Sequence, residues 1–139
     1  MKFYQVCEEY KKLYDVAKEA LKNSYAPYSK FQVGAAILTE TGEIFTGCNV
    51  ENASYGACIC AERTAACKGI SEGFQNFKAI AVVAQEKGEF KEAWPCGICR
   101  QFLFEFNKDI DVITGASKEN LKCVKLRDLL SMGFSLDEK

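Results

Sequence analysis

The 139-residue chain contains no histidine. Imidazole therefore supplies no metal ligand, no general base and no switch near neutral pH. Any soft-ligand metal site has to be built mostly from the eight cysteines. Proline occurs twice and glycine ten times, too sparsely for long disordered stretches. The formal net charge is -1, so nothing steers the whole molecule toward a polyanion, and neither nucleic acid nor a membrane is expected as a partner. No apolar run approaches the length of a membrane span. The opening Met1-Lys2-Phe3-Tyr4-Gln5-Val6-Cys7-Glu8-Glu9 lacks the apolar core of a signal peptide. These absences point to a cytoplasmic protein with reduced thiols rather than a disulfide framework. Cys7, Cys48, Cys67 and Cys123 then read as small buried hydrophobes.

What is present is the mix of an ordinary globular protein, 48% apolar and 27% charged. The length suits one domain spanning residues 1–139. Phe3, Cys7, Tyr10, Tyr14, Ala17 and Leu21 recur at alternating steps of four and three, which predicts a helix packed on a sheet. Residues 23–29 read as a loop around Pro27. Residues 31–38 and 43–48 read as strands, and Thr41-Gly42 makes them an antiparallel hairpin. A loop over 49–59 leads into a helix over 60–71 that ends near Gly73. Residues 79–84 form a buried strand, 87–88 and their charged neighbours a loop, and 96–106 a second helix after Pro95. Residues 110–114 are a strand, 122–124 a short edge strand, and 126–130 a final helical turn. Strands alternating with helices imply a three-layer α/β/α sandwich around a mixed five-stranded sheet whose later strands can run parallel.

Chemistry concentrates in Cys60-Ala61-Glu62 and Pro95-Cys96-Gly97-Ile98-Cys99. Cys96 and Cys99 share one face of a helix start, and Cys60 begins the other helix. The partial positive charge of a helix N-terminus favours thiolate over thiol. Three thiolates and an open fourth position suit a zinc-activated water, with Glu62 placed to move that water's protons. Three thiolates around Zn²⁺ leave a net charge of about -1, which Arg63, or Arg100, can offset by donating to sulfur. Other readings stand beside this one. A thioredoxin-type redox pair would use Cys96 and Cys99 alone. A closed four-cysteine structural site would recruit Cys58, and because residues two apart on a helix point about 200° from each other, Cys58 must then lie in the preceding loop. Glu62 could also be a solvated first-turn carboxylate.

These residues resemble the zinc-dependent cytidine deaminase family, small homotetrameric type, whose signature joins a Cys/His-x-Glu to Pro-Cys-x-x-Cys. The similarity extends through residues 26–36, 46–56, 60–65 and 95–101. It implies one Zn²⁺ per chain held by Cys60, Cys96 and Cys99, with Glu62 as proton shuttle. It implies that Asn49 and Glu51 bind ribose hydroxyls, that Phe31 packs on the pyrimidine, and that Ala61 with Glu62 reads the base edge. It also implies a homotetramer in which Tyr55, and Phe134 near the C-terminus, reach a neighbouring subunit's pocket. Residues 129–136 depart from the family by lacking two prolines. The activity implied is hydrolytic deamination of cytidine and 2′-deoxycytidine, serving pyrimidine salvage. Rivals are a deaminase of a nucleoside analogue of the blasticidin S type and a non-enzymatic module stabilised by structural zinc.

Overall fold

The computed structural model describes residues 1–136. Its first helix, α1, spans Glu8–Ala20, and Leu13, Tyr14, Ala17 and the following Leu21 are buried along one side. The sequence stripe started earlier, at Phe3. That residue is exposed, Cys7 is the N-cap, and Tyr4 instead forms a β-bridge with Cys123. Two acidic residues in the first turn, Glu8 and Glu9, complement the helix dipole and mark the true start.

β1 (Gln32–Thr39) and β2 (Ile44–Cys48) form the expected antiparallel hairpin. α2 (Ala61–Ser71) follows, then β3 (Phe77–Glu86), which is longer at both ends than its apolar centre suggested. β4 (Glu89–Glu92) was not expected. The charged stretch Glu89-Phe90-Lys91-Glu92 has no apolar signature, but it pairs with the far end of β3 through the two-residue turn Lys87-Gly88, both with positive φ. α3 is Gly97–Phe104, β5 Asp111–Thr114, β6 Lys122–Lys125 and α4 Leu126–Leu129. Among the described residues the sheet therefore has six strands rather than five. Five run in the order β2-β1-β3-β5-β6, and β4 pairs β3 beside them. Among the described strands, β3 and β5 form the parallel pair, joined across α3.

Alternation along β1 and β3 splits the core into two layers. Ala36 and Leu38 with Ala79, Ala81 and Val83 face α1. Ala35 and Ile37 with Ile80 and Val82 face Ala61, Ala65 and Ala66 of α2 and Leu103 of α3. Two glycines let the helices approach this closely. A Cβ at Gly34 would lie 2.1 Å from Ala17 O of α1, and one at Gly47 would lie 2.4 Å from both Ala61 O and Ala65 N of α2. Of the four cysteines read as buried hydrophobes, only Cys123 is buried; Cys48 is half-buried, and Cys7 and Cys67 are exposed. Cys7 falls at a helix cap and Cys67 on the outer side of α2, where burial is not available.

Candidate active site

α2 and α3 pack on the same face of the sheet and begin beside one another, so their N-termini bring residues distant in sequence together. Cys60 is the N-cap of α2 and Cys96 the N-cap of α3, both with extended backbone, and Cys99 lies one turn into α3. The three Sγ atoms lie within 4.8 Å of one another, and Cys60 and Cys96 are 3.7 Å apart. Tetrahedral zinc with Zn–S bonds of about 2.3 Å holds its sulfurs roughly 3.8 Å apart, so the donor set fits zinc and leaves one position open. Cys58 lies in the preceding loop but does not join this group; its thiol instead meets the Asn52 carbonyl at 3.7 Å.

Electrostatics at the thiols follow from their hydrogen bonds to one another, their burial and one arginine. Cys60 is drawn down toward the thiolate, first by its hydrogen bond from Cys99, then by those from Arg63 and Cys96. Cys99 moves the opposite way, because it donates that bond and is buried. Arg63 Nη2 sits 3.5 Å from Cys60 Sγ, while its Nε is buried without a hydrogen-bond partner among the described residues. Arg100 does something different from the thiolate contact considered for it. Its Nε donates to Pro95 O at 2.6 Å and its Nη1 to Leu129 O at 2.7 Å, tying the backbone before Cys96 to α4. Glu62, in the first turn of α2, is 4% exposed, and this burial pushes its carboxyl up to about 7.

Cys60, Cys96 and Glu62 open onto a cavity of about 610 Å³ that Phe31, Asn49, Glu51, Ala61 and Tyr55 also line. Asn49 braces the start of β1. Its Oδ1 accepts from Val33 N at 2.9 Å and from Ser24 Oγ, and its Nδ2 donates to Phe31 O at 2.8 Å. One Nδ2–H remains for a ligand. Glu51 Oε1 accepts from the amides of Tyr28 and Ser29, and Oε2 from Ser29 Oγ. These bonds, led by the Ser29 hydroxyl, hold the Glu51 carboxyl below the usual carboxylate range. One lone pair of Oε2 remains free to accept.

Tyr55 is 78% exposed at the cavity rim. Phe134 does not line this cavity. It is exposed, with its carbonyl held by Gln101 Nε2 at 2.9 Å, so α3 supports the C-terminal stretch without the two absent prolines. Sequence reasoning missed Trp94, which also lines the cavity. Its only signal was its position directly before Pro95-Cys96.

Comparison with known proteins places this geometry. The model of the cytidine and deoxycytidylate deaminase zinc-binding region matches residues 7–116. The chain is 44% identical over 128 residues to a cytidine deaminase of Sporosarcina psychrophila, covering 91% of this chain and 92% of that one. It is 42% identical over 123 residues to a cytidine deaminase of Halalkalibacterium halodurans, covering 88% and 91%. The crystal structure of a Burkholderia pseudomallei cytidine deaminase superposes with a TM-score of 0.80 at 43% identity, covering 88% of this chain and 97% of that one. With three clustered thiols and a buried glutamate at paired helix N-termini, and matched along most of its length, the chain belongs to the zinc-binding cytidine and deoxycytidylate deaminase family.

Proposed function

We propose that this protein deaminates cytidine and 2′-deoxycytidine hydrolytically, converting each with one water to the uridine product and ammonia. The observation that carries the reading is the juxtaposition of three thiols and a buried Glu62 in a cavity that also holds the partly satisfied Glu51. Cys60, Cys96 and Cys99 would hold one zinc ion per chain, which would supply the Lewis acidity that lets water ionise near neutral pH.

Glu62 takes one proton of the attacking water and delivers it to the ring nitrogen, then takes the remaining proton of the hydroxyl added at the ring carbon and passes it to the departing amine as the carbon–nitrogen bond breaks. Burial keeps bulk water from competing for those transfers. The Ala61 backbone, at a helix end whose first N–H groups have no intrahelical acceptor, reads the base edge. Phe31 packs on the pyrimidine. The remaining N–H of Asn49 and the remaining lone pair of Glu51 meet the ribose hydroxyls. This sugar recognition favours a ribonucleoside over an aminoglycosyl analogue.

Arg63 offsets the charge of three crowded thiolates by donating to Cys60. Among the described residues no helix is long and apolar enough to cross a membrane. A role in pyrimidine salvage in the cytoplasm, a single domain over residues 1–139 and a homotetramer belong to the same reading. In that assembly Tyr55 and Phe134, both exposed in the single chain, face neighbouring subunits.

The test follows the ultraviolet loss of the 4-aminopyrimidine chromophore with zinc-loaded protein, beside Glu62→Gln. Turnover by the native protein and a drop of about 10²-fold or more in the variant are expected. A zinc-loaded protein that leaves cytidine unchanged, or a variant as active as the native protein, overturns the reading.

A further inference from the structure

Among the described residues, two cavities share a single lining residue, Trp94. The first is the 610 Å³ cavity with the thiols and Glu62. The second, of about 280 Å³, lies among Phe3, Glu92, Arg100, Lys122 and Leu129. A residue that lines both cavities lies between them. Trp94 is held in that position from several directions. Its Nε1 donates to Glu92 Oε1 at 2.7 Å, and Glu92 Oε2 pairs with Lys122 Nζ at 2.9 Å. Both of those residues belong to the second cavity, so the polar edge of the indole is anchored on that side. Its backbone is fixed on one side by Ala93 N–H donating to Thr114 Oγ1 at 2.8 Å, and on the other by the Arg100 bond to Pro95 O. The ring also packs against the core cluster beneath α2 and α3.

The placement of this wall has a consequence for substrate choice, which rests on the deaminase reading above. Trp94 immediately precedes Pro95-Cys96 and lines the cavity together with Cys96, so it stands at the thiol side. The carbon that loses its amine has to sit at that side. In cytidine the exocyclic amine lies across the ring from the sugar-bearing nitrogen, so any group attached to the amine is aimed past the thiols and away from the sugar.

We propose that Trp94 is a specificity-determining residue: it closes the thiol side of the cavity to all but a small exocyclic amine, and its removal joins the two cavities and admits cytidines carrying a bulky group on that amine. The chemistry is unchanged in kind. Water adds its oxygen to the ring carbon, the carbon–nitrogen bond breaks, and N4-benzylcytidine yields uridine and benzylamine where cytidine yields uridine and ammonia.

The experiment measures kcat and KM for cytidine and for N4-benzylcytidine with zinc-loaded wild type, Trp94→Ala, Trp94→Leu and Trp94→Phe, separating uridine and the released amine by chromatography. Wild type is expected to favour cytidine in kcat/KM by about 100-fold or more, the discrimination a tight apolar wall can supply. Trp94→Ala and Trp94→Leu are expected to shrink that ratio at least about tenfold, chiefly through a lower KM for the benzyl substrate. Trp94→Phe, which keeps most of the wall, stays near the wild-type ratio. A purely structural role would lower both substrates together.

Wild type that handles both substrates equally well overturns the inference, and this arm needs no variant to fold. If Trp94→Ala is insoluble, Trp94→Leu decides. Variants that lose both activities by one factor, on a wild type that turns over cytidine, overturn this inference alone. Wild type inert toward cytidine overturns the deaminase reading and this inference with it.

Discussion

Gly47→Ala tests how strictly the sheet positions the active site. The added methyl would lie 2.4 Å from Ala61 O and from Ala65 N, and 3.0 Å from Ala65 Cα. All three are backbone atoms, so no rotamer change relieves the clash. Restoring ordinary contact at 3.4 Å requires α2 to retreat from β2 by about 1 Å. Overpacking of this kind costs roughly 1–3 kcal/mol. At about 4 °C per kcal/mol for a chain of this size, the melting temperature falls by roughly 4–12 °C.

Stability is only half of the expectation. The first turn of α2 carries Cys60, Ala61 and Glu62, whereas Cys96 and Cys99 ride on α3. A retreat of α2 alone shears the thiol group and moves Glu62 away from the substrate, and a misplacement of about 1 Å costs on the order of 10²-fold in rate. Gly34→Ala is the matched comparison. Its methyl would meet Ala17 O at 2.1 Å and Leu21 N at 2.7 Å, on the α1 side, and α1 carries none of the proposed site residues. Thermal melts, competition for zinc with a chromophoric chelator, and kcat measured well below both melting points separate the two variants. Gly34→Ala should lose stability and keep kcat, while Gly47→Ala should lose both, together with zinc affinity. A Gly47→Ala protein with native zinc affinity and kcat, or a Gly34→Ala protein with the same loss of kcat, refutes the reasoning.

Three further outcomes are expected. Cys99→Ser should lose zinc by elemental analysis while Cys58→Ser keeps it, because only Cys99 lies in the thiol group; zinc loss in both would restore the closed four-cysteine site. Arg100→Ala should release zinc to a chelator several-fold faster than wild type, since it frees Pro95 O and Leu129 O from a shared clamp, and unchanged release would make the clamp irrelevant to Cys96. Tyr14 is pushed up to about 12, chiefly by burial, and its hydroxyl donates to Gly115 O at 2.7 Å. A raised folded-state value means that its stabilisation is complete below the unfolded value near 10 and is lost as the pH climbs from about 10 to 12. Urea melts across that window should show a shallower decline for Tyr14→Phe than for wild type, and parallel declines would refute the assignment.

The two motifs and their spacing marked the thiols and the glutamate without help from the fold. Cys60-Ala61-Glu62 and Pro95-Cys96-Gly97-Ile98-Cys99 each sit at a helix start, where Pro95 and the loss of period-two patterning announce the change of element. β1, β2 and the centre of β3 were legible for the same local reason, an apolar pattern bounded by turn residues. β4 was not, because Glu89-Phe90-Lys91-Glu92 owes its strand conformation to hydrogen bonds from β3 and to the turn at Lys87-Gly88. The start of α1 was misplaced because Phe3 and Cys7 fit a helical stripe that the chain does not continue; a bridge from Tyr4 to Cys123 captures that segment instead. Arg100 was legible as a cation near sulfur, yet its partners are carbonyls, one of them contributed by α4 from far along the chain.

What the sequence determined by itself was chemical identity: a donor set built mostly from thiols in the absence of histidine, a glutamate beside it, and the order of helices and strands apart from β4. Only the tertiary structure decided proximity and dryness. It set which cysteines share a point, it buried Glu62, it turned Asn49 into a brace for β1, and it set Trp94 in the lining of two cavities. The division has a physical cause. Ligand type and helix starts are properties of a few neighbouring residues, whereas distances between α2 and α3, and exclusion of water from between them, arise from packing both helices on one face of a sheet whose close approach depends on the bare backbone at Gly47.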